Sequence, residues 1–338
     1  MGHNANTMRD TLLRYPGFIT DVCGVEVGHF TDSRRPTGCS VVLVRDGAAA
    51  GVDVRGAAPG TRETDLLDPS NLVDKVHAVM LAGGSAYGLD AAGGAMRWLE
   101  AQGIGIDVKV ARVPIVPSAV LFDLMVGDPG IRPDAAAGFA ACEAASSAAP
   151  EEGNVGAGAG ACVGKVFGMG HAMKSGIGSA SLTVDGVTVA AIIACNALGD
   201  VVDPETAQPI AGARKDPGSL DLLNIRKALL QGKTTQAIIP GTNTTLGVVA
   251  TDAQISKTQA HRLAVVAHDG LARSINPVHT VSDGDTLFAL GTGASGKTLG
   301  MMTLGALAAE VTARATVNAV LAAKGMKIGD LWLPGLAD

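Results

Sequence analysis

Aromatic residues, basic charge and long apolar runs are all scarce in this sequence. Aromatic side chains make up 3% of the 338 residues, and the formal net charge is −6. A nucleic-acid-binding protein needs a basic surface and rings on which bases stack, so we expect no nucleic-acid partner. The longest apolar runs, such as 187–195, are too short to span a bilayer, and residues 1–10 show no signal peptide. We therefore expect a soluble protein with no membrane partner.

Three common sets of catalytic or structural motifs are also absent. The five cysteines are scattered, odd in number and without CxxC spacing, which favours a reduced protein in the cytoplasm. The seven histidines form no HExxH motif, and His261 and His268 would lie about 10 Å apart along a helix, too far to share one metal ion. No GxSxG elbow is present. We therefore expect neither metal catalysis nor a serine triad, and no cofactor.

The elements that the sequence does contain are mixed strands and helices. Short β-branched runs predict strands over Ser40–Val44, His77–Leu81, Ser181–Val184, Val187–Ala194 and Thr245–Thr251. Apolar spacing predicts helices over Tyr87–Glu100, Ala135–Ala148, Lys257–Arg273 and Leu304–Lys324. The proline-bearing segment 203–241 is interpreted as an exposed, loop-rich connection. Because no regular βαβ alternation is evident, a layered α+β sandwich fits better than a doubly wound sheet.

The junction between Asn243 and Thr244 offers the most specific chemistry. Here the proline-rich connection enters an apolar strand in the segment GTNTTLGVVA, residues 241–250. Attack of the Thr244 hydroxyl on the carbonyl carbon of Asn243 would move the acyl group from nitrogen to oxygen, and water would hydrolyse the ester. The new N-terminal threonine would carry both a nucleophile and an α-amine, whose ordinary pKa of about 7.7–8.0 suits it to accept the hydroxyl proton.

Four further polar residues are candidates to support this nucleophile. Asn196 ends an apolar strand and is either an oxyanion donor or a turn-forming residue. Lys165 ends a glycine-rich stretch and is either a surface charge or a cation that lowers the pKa of the amine and polarises the carbonyl. Asp283 and Asp285 flank a glycine ahead of a strand, and they are either a solvated hairpin or groups that bind the threonine ammonium or hydroxyl.

Motifs along nearly the whole chain carry a family resemblance. They are ITDV (19–22), VEVGH (25–29), VDVRGAAPGTRETDLL (52–67), LAGGSAYGL (81–89), VPIVPSAV (113–120), the glycine-rich segment 158–165, the strand from Asn243, and 278–288. The chain resembles the L-aminopeptidase/D-esterase family, which includes β-aminopeptidases and nylon-oligomer (6-aminohexanoate-oligomer) endohydrolases. The resemblance implies a four-layer αββα sandwich similar to N-terminal-nucleophile hydrolases. It also implies one domain over residues 1–338, self-cleavage into an α subunit (1–243) and a β subunit (244–338), and a homotetramer of cleaved α/β pairs.

The resemblance also assigns roles to the candidate residues. Thr244 matches the nucleophile and Asn196 the asparagine on the oxyanion side, while the nylon-oligomer branch provides the match for Lys165, Asp283 and Asp285. The aminopeptidase branch uses a serine nucleophile with a Ser/Glu pair, so this site resembles the nylon type more closely.

The chain departs from this family pattern at one position. Phe122 stands where characterised members carry a tyrosine. If that tyrosine hydroxyl stabilises the oxyanion, this chain must work without it or use a neighbour such as Ser118.

Taken together, these features predict a self-processing amide hydrolase. Its substrate would be a small peptide, an amide or an oligoamide, which it would cleave as an aminopeptidase, an amidase or a 6-aminohexanoate-oligomer hydrolase. The alternative is a non-catalytic or nucleotide-regulated binding protein on the same fold, because GTGASGKT at 291–298 matches the phosphate-binding pattern GxxxxGK[ST]. Only 40 residues follow that segment, without a strand that ends in an acidic Mg²⁺ ligand, which disfavours nucleotide binding.

Overall fold

The protein is built on a mixed β-sheet with helices on its outer faces. The computed structural model describes residues 14–235 and 241–338. In these ranges the strands are β1 (Glu26–Thr31), β2 (Gly38–Val54), β3 (Thr61–Arg62), β4 (Lys75–Ala82), β5 (Ile106–Asp107), β6 (Arg112–Val113), β7 (Ser118–Val120), β8 (Cys162–Val163), β9 (Met173–Lys174), β10 (Ile177–Val184), β11 (Val187–Asn196), β12 (Asp200–Val202), β13 (Pro209–Ala211), β14 (Thr244–Thr251), β15 (Ile275–Asn276), β16 (Thr286–Gly291), β17 (Met326–Ile328) and β18 (Leu331–Leu333). The α-helices there are α1 (Ala91–Ala101), α2 (Ala135–Glu143), α3 (Ile225–Leu230), α4 (Lys257–Ser274) and α5 (Met301–Leu321).

The long strand β2 joins the two halves of the main sheet. The strand order is β10-β11-β14-β16-β2-β4-β7-β3, and β1 also pairs with β2. The first part of β2 pairs with β1 and β4, and its last part, 49–54, pairs with β16. The register of β2 against β4 shifts between Leu43 and Ala48. A shift of this kind bends a strand and increases its twist, which lets the two halves of the sheet turn towards each other.

Alternating side chains on the strands define four layers. On β2, Val42 and Val44 share a buried cluster with Ile192 and Ala194 of β11, so the inner faces of the two sheet halves pack together. The intervening residues point outward: one outer face packs on α1 and α2, and the other packs on α4 and α5. The predicted four-layer αββα sandwich is therefore confirmed.

The five predicted strands and four predicted helices are all present, with differences at their ends. Residues 85–90 form a 3₁₀ turn before α1, so the first helix is not α-helical from Tyr87. Helix α2 ends at Glu143 instead of Ala148, because the chain leaves the helix to pair Ser146 with Val27 of β1. Helix α4 begins with a capping box between Ser256 and Gln259, as a helix start requires. Helix α5 lies three residues closer to the N-terminus than predicted.

The connection 203–241 is less exposed than predicted. Residues 236–240 lie outside the described part of the chain, but the preceding stretch includes β13 and α3. Arg214 in this stretch is fully buried, and its guanidinium donates hydrogen bonds to the carbonyls of Gly170 and Ala172. A buried guanidinium with several carbonyl acceptors anchors the loop to the body of the protein. No helix in the described ranges is long and apolar enough to cross a membrane.

Candidate active site

Thr244 is the first residue of β14, which lies between β11 and β16 in the middle of the sheet. It shares the strand face of Leu246 and Val248, so its side chain projects between the two halves of the sheet. The Thr244 hydroxyl donates to the carbonyl oxygen of Asn243 across 2.5 Å. Both residues are almost sealed from solvent, with 2% exposure for Thr244 and 1% for Asn243. The hydroxyl is therefore held against the peptide group that precedes it.

Asn196 lies directly opposite Thr244, because the two are partners in the antiparallel register of β11 and β14. Its side-chain carbonyl accepts from the backbone N–H of Cys162 at 3.1 Å and from the Lys165 ammonium at 2.8 Å. Its amide nitrogen donates to the backbone carbonyl of Phe122 at 2.9 Å. Asn196 is thus a buried, fixed member of the site, and the turn-forming alternative is wrong.

Lys165 approaches Thr244 from the glycine-rich segment. Its ammonium donates to the backbone carbonyl of Asn196 at 2.9 Å and to that of Thr242 at 3.3 Å, as well as to the Asn196 side chain. Gly164 before it has φ +76°, and a Cβ there would lie 2.1 Å from the backbone nitrogen of Ala213, so the turn that aims Lys165 needs glycine. Burial lowers the pKa of Lys165 to about 8. It is not an ordinary surface charge.

Asp285 connects β14, the strand that begins at Thr244, to the turn before β16. One carboxylate oxygen accepts from the backbone N–H of Thr245 at 2.7 Å. The other lies 2.8 Å from Nδ1 of His279 and accepts from the backbone N–H of His279 at 3.2 Å. Asp285 is 1% exposed, so it does not belong to a solvated hairpin. Its bonds fix the position of the strand that begins with Thr244.

Asp283 has the same burial but far fewer partners. One of its oxygens accepts from the backbone N–H of Thr280 at 2.8 Å, and the other is buried with no hydrogen-bond partner in the described structure. Burial first, and then the charge of Asp285, raise the pKa of Asp283. A buried carboxylate with one free oxygen is a stronger base than an exposed one, which suits it to accept a proton.

Two residues near Thr244 had no role in the sequence prediction. His279 contacts Asp285, and its ring lies 4.8 Å from that of His268 in an edge-to-face arrangement. The backbone N–H of Gly284 donates to the carbonyl oxygen of Asn243 at 2.9 Å. The segment 278–288 carried the family resemblance, so the signal for both residues was present, but a motif does not show which atom makes a contact.

A small pocket opens beside Lys165 and Asn196. Its lining includes apolar side chains and the polar edge of the site: Phe122, Asp123, Met125, Val126, Gly160, Cys162, Lys165, Met169, Asn196 and Thr242. Phe122 therefore brings a ring, and no hydroxyl, to this pocket. Ser118, the predicted substitute, is buried in β7 and is not among the lining residues in the described structure.

The segment 291–298 lies away from this site. Its lysine, Lys297, is exposed and donates to the backbone carbonyl of Asp185 at 3.1 Å. Helix α5 begins only at Met301, so the GKT residues precede the helix without forming its first turn. A phosphate-binding loop presents its lysine and the helix N-terminus to one phosphate group, and here the two are separated.

The described ranges contain no group of three or more His, Cys, Asp or Glu residues placed to hold a metal ion. His261 and His268 instead hydrogen-bond to the backbone carbonyls of Val52 and Asp53, respectively. They hold helix α4 against strand β2.

Comparison with solved structures identifies the class of fold. The L-aminopeptidase D-Ala-esterase/amidase from Ochrobactrum anthropi, described as a variant of the N-terminal-nucleophile hydrolase fold, has a TM-score of 0.71 to this protein. The match covers 96% of this chain and 92% of that chain, at 20% identity. Likeness at this identity shows the fold alone. The fold is therefore that of the N-terminal-nucleophile hydrolases.

Comparison of sequences then gives the family. The profile of Peptidase family S58 matches residues 18–330. A Mycobacterium leprae (strain TN) protein named as an uncharacterized aminopeptidase is 44% identical over 337 residues, which cover 91% of each chain. A 6-aminohexanoate-oligomer endohydrolase of Paenarthrobacter ureafaciens is 31% identical over 278 residues, or 80% of this chain and 74% of that protein. The chain belongs to peptidase family S58 and is a hydrolase that acts on amide bonds, which confirms the predicted family.

Proposed function

We propose that the protein cuts its own chain between Asn243 and Thr244 and then hydrolyses amides with Thr244 as its N-terminal nucleophile. The observation that carries this proposal is the Thr244 hydroxyl, 2.5 Å from the carbonyl oxygen of Asn243 in a sealed environment. An external substrate has no access to a hydroxyl that is 2% exposed, whereas the adjacent peptide is already in place. Cleavage of that peptide would both create the amine and open the site.

The residues around the junction can carry out the cleavage. The Thr244 oxygen bonds to the carbonyl carbon of Asn243. Its hydroxyl, which donates to the Asn243 oxygen in the uncut chain, must rotate to pass its proton to the unpaired oxygen of Asp283 in the bridged turn. The carbon–nitrogen bond then breaks, the proton moves to the Thr244 nitrogen, and the acyl group remains as an ester. Water hydrolyses this ester to give the Asn243 carboxylate and a free Thr244 hydroxyl. The uncut chain needs Asp283 for this purpose because Thr244 has no α-amine before cleavage.

After cleavage, the α-amine of Thr244 replaces Asp283 as the base. An α-amine has an ordinary pKa of about 7.7–8.0, so a fraction of it is neutral at pH 7, and the nearby Lys165 cation favours that neutral form by charge repulsion. Asp285 keeps the strand start in position through the Thr245 N–H. Asn196 and Lys165 lie beside Thr244 and stabilise the oxyanion of the substrate. This mechanism uses no cofactor and no metal ion.

The substrate that we propose is a small peptide, an amide or an oligoamide. The pocket beside Lys165 has apolar walls from Phe122, Met125 and Met169, which suit an unbranched or apolar acyl group. Relatives named as an aminopeptidase and as a 6-aminohexanoate-oligomer endohydrolase support the same range. We further propose one domain that matures into subunits 1–243 and 244–338, and a homotetramer of these cleaved pairs.

Mass spectrometry and N-terminal sequencing of the purified protein test the cleavage. We expect pieces of 243 and 95 residues (338 − 243 = 95), with the smaller piece beginning Thr-Thr-Leu-Gly. Thr244→Ala should remain a folded, inactive, full-length chain, and Thr244→Ser should still cut because it retains the hydroxyl. A stable uncut chain that hydrolyses amides would contradict the proposal. An uncut, inactive chain that binds nucleotide would favour the binding-protein alternative.

A panel of amides then defines the substrate. It should include N-terminal peptides, β-peptides, D-amino-acid amides and esters, and 6-aminohexanoate oligomers. Each compound is compared by kcat/KM, with the Thr244→Ala protein as the blank.

A further inference from the structure

Self-cleavage places negative charge on one particular atom, the carbonyl oxygen of Asn243. When the Thr244 oxygen adds to the carbonyl carbon, the electron pair of the C=O bond moves onto that oxygen. A preorganised donor aimed at it would lower the barrier, and removal of one such donor typically costs about 10²–10³ in rate. In the uncut chain the Asn243 oxygen accepts a hydrogen bond from the backbone N–H of Gly284 at 2.9 Å.

The donors that serve an incoming substrate are already engaged elsewhere in the uncut chain. Asn196 directs its side-chain nitrogen at the Phe122 carbonyl. Lys165 directs its ammonium at the carbonyls of Asn196 and Thr242, and the latter is one residue before the scissile peptide. The Gly284 N–H, in contrast, points at the reacting carbonyl itself.

The turn that carries Gly284 is clamped on both sides. The carbonyl of Asp283 accepts from the Ala58 N–H at 2.9 Å, and the carbonyl of Asp285 accepts from the N–H groups of Arg55 and Gly56. A parallel bridge also pairs Asn243 with Asp283. Since these contacts surround the N–H, it needs no reorganisation when the charge appears.

The lack of a side chain at position 284 permits this approach. A Cβ on Gly284 would lie 2.6 Å from the carbonyl oxygen of Ala58 and 2.8 Å from the Thr244 hydroxyl oxygen. Real Cβ atoms do not come so close to other atoms, so any larger residue would push the turn away from the junction. Glycine at 284 thus lets the N–H and the Thr244 hydroxyl both contact the carbonyl oxygen of Asn243.

We infer that the Gly284 N–H is the oxyanion donor of the self-cleavage step, and that the step has a donor distinct from the Asn196–Lys165 pair. The inference rests on the proposed cut between Asn243 and Thr244. It gives the turn between the two aspartates a catalytic backbone group in addition to its carboxylates.

The test replaces the donor atom without adding a side chain. Cell-free translation with a suppressor tRNA charged with glycolic acid puts an ester oxygen in place of the Gly284 nitrogen. The matched control carries glycolic acid at 56, which removes the Gly56 N–H that donates to the Asp285 carbonyl at 3.3 Å, while the Arg55 N–H still donates to that carbonyl. Cleavage is followed by gel electrophoresis at pH 7, where backbone esters survive. We expect the 284 ester to cut about 10²–10³ more slowly than the parent, and the 56 ester less than about tenfold more slowly.

The possible failures are distinguishable. If the parent chain cuts at Asn243–Thr244 and the 284 ester cuts as fast as the 56 ester, the Gly284 N–H is not the donor, although the proposed cleavage holds. If the parent never cuts at that bond, the proposed function itself fails. To check that the 284 ester is folded, its melting temperature in a Thr244→Ala background should match that of the 56 ester within a few degrees. An unfolded 284 ester beside a folded 56 ester would also overturn the inference, because it would make the N–H a structural group.

Discussion

Replacing Asp283 or Asp285 with asparagine should change the free energy of unfolding in opposite directions, although the two residues are only two positions apart. The measurement uses a Thr244→Ala background, in which every chain stays uncut. Asp285 accepts three hydrogen bonds, one from Thr245 and two from His279. An asparagine offers one acceptor oxygen and turns its NH₂ towards a donor, so at least one buried N–H loses its acceptor. That costs about 1–3 kcal/mol, or about 2–6 °C in melting temperature.

At position 283, asparagine should be more favourable than aspartate. The Asp283 carboxylate accepts a hydrogen bond from the Thr280 N–H, and an asparagine oxygen can accept the same bond. The other carboxylate oxygen is buried without a partner, and burial together with the charge of Asp285 raises the pKa of Asp283. Since a neutral amide costs less to bury than a carboxylate, Asp283→Asn should stabilise the uncut chain by about 1 kcal/mol at pH 8.

The difference in free energy of unfolding between the parent and Asp283→Asn should depend on pH. The pKa of Asp283 is higher in the folded chain than in the unfolded chain. Below the pKa of the unfolded chain, about 3.9, this carboxyl group therefore does not reduce the free energy of unfolding of the parent. That stability is lost as the pH rises through the folded pKa of Asp283. The advantage of Asp283→Asn should therefore be small near pH 4 and full at pH 8 in melts followed by circular dichroism. An advantage that grows on acidification, or destabilisation equal to that of Asp285→Asn, would refute the reasoning. With Thr244 restored, both variants should cut more slowly than the parent.

Three other variants separate the remaining roles. Asn196→Ala should lower kcat by about 10²–10³ with little change in KM, and a change in KM alone would contradict a transition-state role. The parent should lose activity as the pH rises through about 8, the pKa of Lys165, and Lys165→Met should be slower and lack that limb of the pH–rate profile. Lys297→Ala should leave cleavage and turnover within twofold of the parent, because its exposed ammonium donates to the backbone carbonyl of Asp185. ATP binding by calorimetry that disappears in Lys297→Ala would show that the 291–298 segment is a nucleotide site.

The sequence predicted which polar residues lie at the site, but it did not predict which contacts each of them makes. Asp283 and Asp285 flank the same glycine in the sequence, so no local pattern tells them apart. Their difference comes from contacts that only the folded chain makes: Asp285 accepts a hydrogen bond from Thr245, 40 positions away, whereas one oxygen of Asp283 is buried without a partner in the described structure. Long-range packing of this kind leaves no periodic signal in a single sequence. Helix ends are hard to predict for the same reason. Helix α2 ends before Ser146 because Ser146 pairs with Val27 of β1, a distant residue in the sequence.

Phe122 illustrates how backbone and side-chain roles separate at such a site. The resemblance drew attention to the missing tyrosine hydroxyl, yet the contact that Phe122 makes with Asn196 uses its backbone carbonyl, which any residue provides. The segment that carries this carbonyl is held in place without the Phe122 side chain. The next residue, Asp123, forms a fully buried ion pair with Arg35 and accepts a hydrogen bond from the Thr37 hydroxyl. Phenylalanine at 122 is therefore compatible with the observed placement of Asn196 and Lys165. Its effect is confined to the pocket wall, where a ring without a hydroxyl contributes apolar surface and no donor to the oxyanion of a substrate. Gly284, which we propose as the donor to the carbonyl of Asn243 during self-cleavage, is not among the residues that line this wall in the described structure.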